Sequence, residues 1–199
     1  KNLNDPKLRI IEVSTDTGVY ERGHIQNAVN FKWHTDLVDP VQRDIASKEK
    51  FETLLRQAGI NNDSTIVIYG DNNNWFAAWG AWVFDVYGVQ NVKLLDGGRK
   101  KWEAEKRPLT PLATKVNPGT IKIADANNAI RAKLAEVVVI ANKKSNTALV
   151  DIRSNDEYTG KIFAPAGVQE TAIRAGHIPG AVNVPWGKAV AEDGTFKSA

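Results

Sequence analysis

The chain has 199 residues, 42% hydrophobic and 25% charged, which fits a soluble globular protein and excludes wholesale disorder and fibrous classes. Its 26 basic and 23 acidic side chains nearly cancel and form no Lys/Arg block, so neither nucleic acid nor an anionic membrane surface is expected as a partner. Cysteine is absent, which removes disulfides, thiolate chemistry and sulfur-ligated metals from these residues.

The elements follow in chain order. Residues 8–13 make a short apolar strand and residues 28–31 another. Residues 48–58 place Phe51, Leu54 and Leu55 at helical spacing, with Ser47 as N-cap and Gly59 as the stop. The β-branched run Thr-Ile-Val-Ile-Tyr at 65–69 reads as a central parallel strand. Residues 75–87 read as an apolar helix in an aromatic stretch that includes Phe76 and Phe84. Its residues Trp75, Trp79 and Trp82 share one face, which is expected to be a packing stripe. A strand at 92–95 is stopped by Asp96, Gly97 and Gly98, and a helix begins at Arg99. Strands alternating with helices imply crossover connections, hence an α/β protein with a parallel sheet flanked by helices.

Residues 107–128 carry Pro108, Pro111, Pro118 and Gly119 with little periodicity, and read as a domain boundary. A helix over 130–141 follows, with Asp125 or Asn127 as cap, then strands at 147–152 and 181–184.

An internal repeat organises these elements. Residues 23–33 read GHIQNAVNFKW and residues 176–186 read GHIPGAVNVPW, identical at seven of eleven positions, with Gly23 and Gly176 separated by 153 residues. Before each copy lies an apolar run followed by acidic polar residues. Two copies so far apart indicate two domains of one kind rather than a solenoid. The expected division is a domain at 1–110, a linker at 111–128 and the start of a second domain at 129–199. The first copy continues from its 65–69 strand into a loop whose counterpart in the second copy falls beyond Ala199. A half-domain of two strands cannot close its own core. With Met absent at position 1 as well, the chain is expected to be part of a longer protein. No run approaches the roughly 18 apolar residues of a membrane span, and no secretory core opens the chain, so a cytoplasmic location is expected.

The segments GHIPGAVNVPW, VDIRSNDEYTG, YGDNNNWFAAW, LLDGGRKKW and EDGTFKS resemble those of tandem-domain rhodaneses, the thiosulfate sulfurtransferases, and the resemblance runs along essentially the whole chain. It implies a catalytic Cys in the second domain, on the loop after the central strand and therefore beyond Ala199. That thiolate takes sulfane sulfur from thiosulfate, becomes a persulfide and passes the sulfur to cyanide or a thiol acceptor. No cofactor and no metal are implied. The partners are the small-molecule donor and acceptor and the protein's own C-terminal half, without which these 199 residues should be inactive.

In the first domain the counterpart of that loop is Gly70, Asp71, Asn72, Asn73 and Asn74. It offers no thiol, and the Asp71 carboxylate would repel thiosulfate, so the resemblance implies an inactive first domain. A Ca²⁺ loop is not expected there, because the glycine and glutamate of that motif are missing. The resemblance places Asp151 and Arg153 beside the active site as a bracing salt bridge. Some relatives carry an Arg thought to attract thiosulfate at the position of Glu157, which has the opposite charge. His24 and His177 occupy one repeat position and read as structural, His34 stands alone, and no metal-ligand spacing links the three. GxSxG, GxGxxG and GxxxxGK[ST] motifs are absent. The rival reading is a non-catalytic rhodanese-like binding module. A phosphatase of related fold fits the tandem layout less well. The loop beyond Ala199 discriminates all three.

Overall fold

The structure, a computed structural model, describes residues 3–42, 44–165 and 174–198. The chain divides into two compact units, Lys1–Ile130 with Glu192–Phe196, and Arg131–Ala191 with Lys197–Ala199.

The first unit is built on four parallel strands, β1 (Leu8–Glu12), β2 (Ala28–Asn30), β3 (Thr65–Tyr69) and β4 (Val92–Leu94), in the spatial order β2-β1-β3-β4. The chain leaves β1 toward β2 and returns past it to β3, so β1 and β3 lie at the centre. Their alternate residues Ile11, Ile66 and Ile68 are fully covered, as expected for a parallel sheet clothed on both faces. The helices are α1 (Val19–Arg22), α2 (Lys48–Gln57), α3 (Trp75–Val86) and α4 (Gly98–Ala104). Helix α2 starts at Ser47, whose side chain accepts from the Lys50 amide, and stops where Gly59 takes a φ of +73°.

Helix α3 buries Ala77, Gly80, Val83, Phe84 and Val86. The face carrying Trp79 and Trp82 packs at the margin of the core instead of inside it, and Trp75 is half-buried. Small residues on the inner face let the helix approach the sheet closely, which leaves the indoles at the edge. A five-residue π-helical turn, Trp33–Leu37, follows β2 and has no period that a sequence pattern would reveal.

Residues 111–128, which read as a linker in the sequence, lie along the first unit as a strap. The Gly119 amide donates to the Arg56 carbonyl at 2.7 Å, that of Ile121 to Ile60 at 3.2 Å, and that of Ala124 to Tyr87 at 3.1 Å. Ile121 and Ile123 are buried in the first unit's core. Proline suppresses regular structure here without preventing burial. Glu192–Phe196 also belongs to this unit. Asp193 pairs with Lys101 at 2.5 Å, and the Phe196 amide donates to Asp96 at 2.8 Å.

In place of one helix from 130, the first unit ends in a 3-10 turn, Asn128–Ile130, and the second unit opens with helix α5 (Leu134–Ala141). Asn127 receives the Ala129 amide, whereas Asp125 pairs with Lys48. Strand β5 (Val150–Asp151), helix α6 (Asn155–Tyr158) and strand β6 (Val182–Asn183) follow, with β5 and β6 parallel. The strand expected over 147–152 shortens to two residues because, among the described residues, β5 has one pairing partner where β1 has two. Val150 and Ile152 are 52% and 53% exposed, against 0% for Ile11 and Val13 at the same place in the first unit.

Candidate functional site

Both units carry one construction at the carboxyl end of their first strand, where open α/β sheets place functional groups. Glu12 ends β1 opposite Asn30, and Asp151 ends β5 opposite Asn183. In each unit the repeated Gly-His-Ile turn sits beside this carboxylate. His24 stacks on Tyr20 with ring centroids 3.7 Å apart, and His177 stacks on Tyr158 at 3.8 Å. The Nδ1 atom of each histidine lies 2.8 Å from the carbonyl of its tyrosine partner, and the Tyr20 and Tyr158 hydroxyls donate to the carbonyls of Ala28 and Ala181, at the entry to the next strand. Both histidines therefore hold the turn, and no cluster of three or more His, Cys, Asp or Glu able to hold a metal occurs among the described residues.

In the first unit Glu12 is fully buried, and Arg99 of α4 meets it with Nη2 at 2.7 and 2.9 Å and Nε at 3.2 Å. Arg99 also donates to the Gly23 carbonyl at 2.6 Å, and the Tyr69 hydroxyl donates to Glu12. Burial, then the Glu12 charge, pushes the Tyr69 phenol far above its ordinary value. Sequence reading missed this network. The available signal was an acidic residue inside the apolar run Ile10, Ile11, Glu12, Val13.

Above it lies the loop at 70–74. Asn72, Asn73 and Asn74 take φ of +47°, +53° and +64°, three successive left-handed residues of the type that tolerates that region. Three of the loop's backbone donors have partners in the first unit. The Gly70 amide donates to Asn74 Oδ1 at 3.0 Å, that of Asp71 to Ser14 Oγ at 3.2 Å, and that of Asn74 to the Asp71 carbonyl at 2.9 Å. The Asp71 carboxylate accepts from the Thr15 and Asp16 amides at 3.0 and 2.8 Å. Asn74 is buried and donates to the Leu95 carbonyl, and Gly98 packs so closely that a Cβ there would lie 2.3 Å from Asn74 Oδ1.

In the second unit Asp151 receives Arg153 through Nη2 at 2.6 Å, Nε at 3.1 Å and its backbone amide at 3.0 Å. The Arg153 guanidinium holds the Asp151 carboxyl below the usual carboxylate range. Arg153 also donates to the Gly176 carbonyl at 2.7 Å. Glu157 turns back on its own helix. Its Oε2 accepts from the Ser154 amide at 3.0 Å and hydroxyl at 2.7 Å, while Ser154 Oγ accepts the Glu157 amide, forming a capping box. Its carboxylate is thus held at the start of α6.

The parallel sheet, its flanking helices and the doubled strand-turn module define a rhodanese fold, and the chain belongs to the rhodanese family: the rhodanese-like domain matches residues 1–105 and 134–198. A protein of Mycolicibacterium smegmatis named "Putative thiosulfate sulfurtransferase" is 51% identical over 99% of this chain and 70% of its own length. "Sulfur carrier protein TtuD" of Thermus thermophilus is 47% identical over 100% of this chain and 71% of its own length. Among solved structures, SseA of Escherichia coli, described as a 3-mercaptopyruvate sulfotransferase of rhodanese fold, superposes with a TM-score of 0.82 and 28% identity over 98% of this chain and 75% of that one.

Proposed function

We propose that the protein is a thiosulfate sulfurtransferase whose nucleophile is a cysteine beyond Ala199, in the part of the second rhodanese-like domain that follows these residues. The observation that carries the reading is the 51% identity with a relative of that name over 99% of this chain. In the proposed reaction the thiolate attacks the outer sulfur of thiosulfate. The bond between the two donor sulfurs breaks, and sulfite leaves with its electron pair. Cyanide or a thiolate acceptor then attacks the persulfide sulfur, forming thiocyanate or a new persulfide and restoring the thiolate.

Within this reading the loop of Gly70, Asp71, Asn72, Asn73 and Asn74 is the inactive counterpart of the catalytic loop. Its lack of a thiol and the commitment of its Gly70 and Asp71 amides to Asn74 Oδ1 and Ser14 Oγ support that role. Asp151 and Arg153 brace the turn beside the active site, and Glu157 serves α6. The reaction needs no cofactor, and the location is the cytoplasm. No helix among the described residues is long and apolar enough to cross a membrane. The absence of cysteine from the 199 residues favours one alternative, a non-catalytic rhodanese-like binding module.

Intact-mass spectrometry before and after thiosulfate, combined with a thiocyanate assay, tests the proposal. The protein carrying its remaining second-domain segment should contain a thiol, gain one sulfur atom and form thiocyanate. The 199 residues alone should do neither. Failure of the longer protein to take up sulfur selects the binding module.

A further inference from the structure

The turn Glu192–Phe196 follows β6 in the sequence but is folded into the first unit, and the chain returns to the second unit at Lys197. Three contacts seat it. Asp193 pairs through Oδ2 with Lys101 of α4 at 2.5 Å, and the Phe196 amide donates to Asp96 Oδ1 at 2.8 Å. Gly194, at a φ of +85°, approaches so closely that a Cβ there would lie 3.2 Å from both Asn73 Oδ1 and the Gly97 carbonyl oxygen. A side chain at this position is opposed by the left-handed backbone and by those neighbours together.

The turn forms without these contacts. Asp193 Oδ1 accepts from the Thr195 amide at 3.1 Å and from its hydroxyl at 2.6 Å, a local closure of the kind aspartate gives to turns. The internal repeat supplies the control. Val41 precedes Gly194 by the same 153 residues that separate Gly23 from Gly176. There Asp39 closes a turn in the same way, accepting from the Val41 and Gln42 amides at 2.8 and 2.7 Å, but the tip stands in solvent, with Val41 88% exposed. The repeat therefore requires a turn at this place and no anchor. The ion pair with Lys101, the bond from Asp96 and the close approach of Gly194 belong to the second copy. They bind it to Asn73, in the counterpart of the catalytic loop, and to the Asp96–Gly97 corner beside it.

We infer that Asp193 is a positioning residue for the proposed sulfur transfer: paired with Lys101, and with Gly194 seated on Asn73, it anchors to the first unit the chain that leads to the cysteine beyond Ala199. The inference rests on the sulfurtransferase reading. Ala199 follows Phe196 by three residues, so slack at the turn passes to the segment ahead, and displacing a reacting group by about 1 Å can cost about 10²-fold in rate. The clasp acts through placement of the nucleophile, so it governs the rate of sulfur uptake and leaves donor affinity unchanged.

The test uses the protein carrying its remaining second-domain segment, with Asp193→Lys, Lys101→Asp and the two combined. Amide exchange at Thr195 and Phe196 reports the clasp, and the rate at which the protein gains one sulfur atom from thiosulfate reports the reaction. Each single reversal should speed exchange at least tenfold and slow uptake at saturating thiosulfate at least threefold, with the half-saturating concentration unchanged within twofold. The combined reversal, which restores the opposite charges, should return both rates to within twofold of wild type. Gly194→Val, which leaves every charge in place, should act like the single reversals, and Val41→Gln at the counterpart tip should change neither rate. Faster exchange with unaltered uptake makes the clasp structural only and overturns the inference, as does unaltered exchange, a rise in half-saturating concentration as the sole effect, or failure of the combined reversal to rescue. A wild-type protein that takes up no sulfur refutes the sulfurtransferase reading, and the inference with it. Asp193 and Lys101 are only partly covered, and matching circular dichroism of variants and wild type establishes that the reversals do not unfold the unit.

Discussion

Arg153 donates to the Gly176 carbonyl at 2.7 Å, and Arg99 donates to the Gly23 carbonyl at 2.6 Å, although the two arginines come from unrelated places in the sequence. Arg153 lies two residues after its carboxylate partner Asp151, whereas Arg99 reaches Glu12 from 87 residues away. Both units thus fix the same turn by tying a strand-end carboxylate, through an arginine, to the same glycine carbonyl. The repeat preserves the ion pair and its target and exchanges the element that supplies the cation.

The Glu12–Arg99 pair gives the first prediction. Removing one member of a buried pair leaves an uncompensated charge and costs about 3–5 kcal/mol. Arg99→Met should lower the urea-unfolding free energy by that amount, and Glu12→Gln combined with Arg99→Met should recover part of the loss. A loss below about 1 kcal/mol in the single variant would show that Glu12 finds another partner.

Tyr69 gives a pH dependence. Its folded-state pKa is raised by burial and by Glu12 above the ordinary value near 10, so the unfolded chain releases this proton first. The associated stability is complete below about pH 10 and falls as pH rises toward the folded value, by up to about 1.4 kcal/mol per pH unit. Subtracting the unfolding free energies of Tyr69→Phe from those of the wild type at several alkaline pH values isolates this slope, since Tyr20 is common to both. Parallel curves would contradict it.

Gly70 follows β3 and packs against the backbone just after β1, where a Cβ would lie 2.1 Å from the Val13 carbonyl oxygen. Gly70→Ala should therefore cost about 3 kcal/mol through displaced backbone. Gly187→Ala, with nothing within 4 Å of the added atom, should change stability by less than about 0.5 kcal/mol. Thermal unfolding of the two variants provides the contrast, and equal midpoints would refute it.

The capping box at α6 predicts that Ser154→Ala costs about 1 kcal/mol and speeds amide exchange at Glu157. Glu157→Gln, which retains an acceptor for the Ser154 amide and hydroxyl, should lose less than Glu157→Ala. The reverse order, measured by hydrogen exchange, would mean that the negative charge of Glu157 has a separate task.

Local pattern alone determined the alternation of strands and helices, the Ser47 cap, the Gly59 stop and the pairing of two like domains. Each rests on side chains within a few residues of one another or on literal repetition. Tertiary structure decided what depends on distant partners. The proline-bearing segment at 111–128 lies on the core because Ile121 and Ile123 find apolar surface there. Asp71 is held by amides 55 and 56 residues earlier. Glu12 is accommodated within an apolar strand because Arg99, 87 residues later, donates to its carboxylate. A parallel sheet joins segments through long crossovers, so the groups that meet at its carboxyl edge leave no period in the sequence.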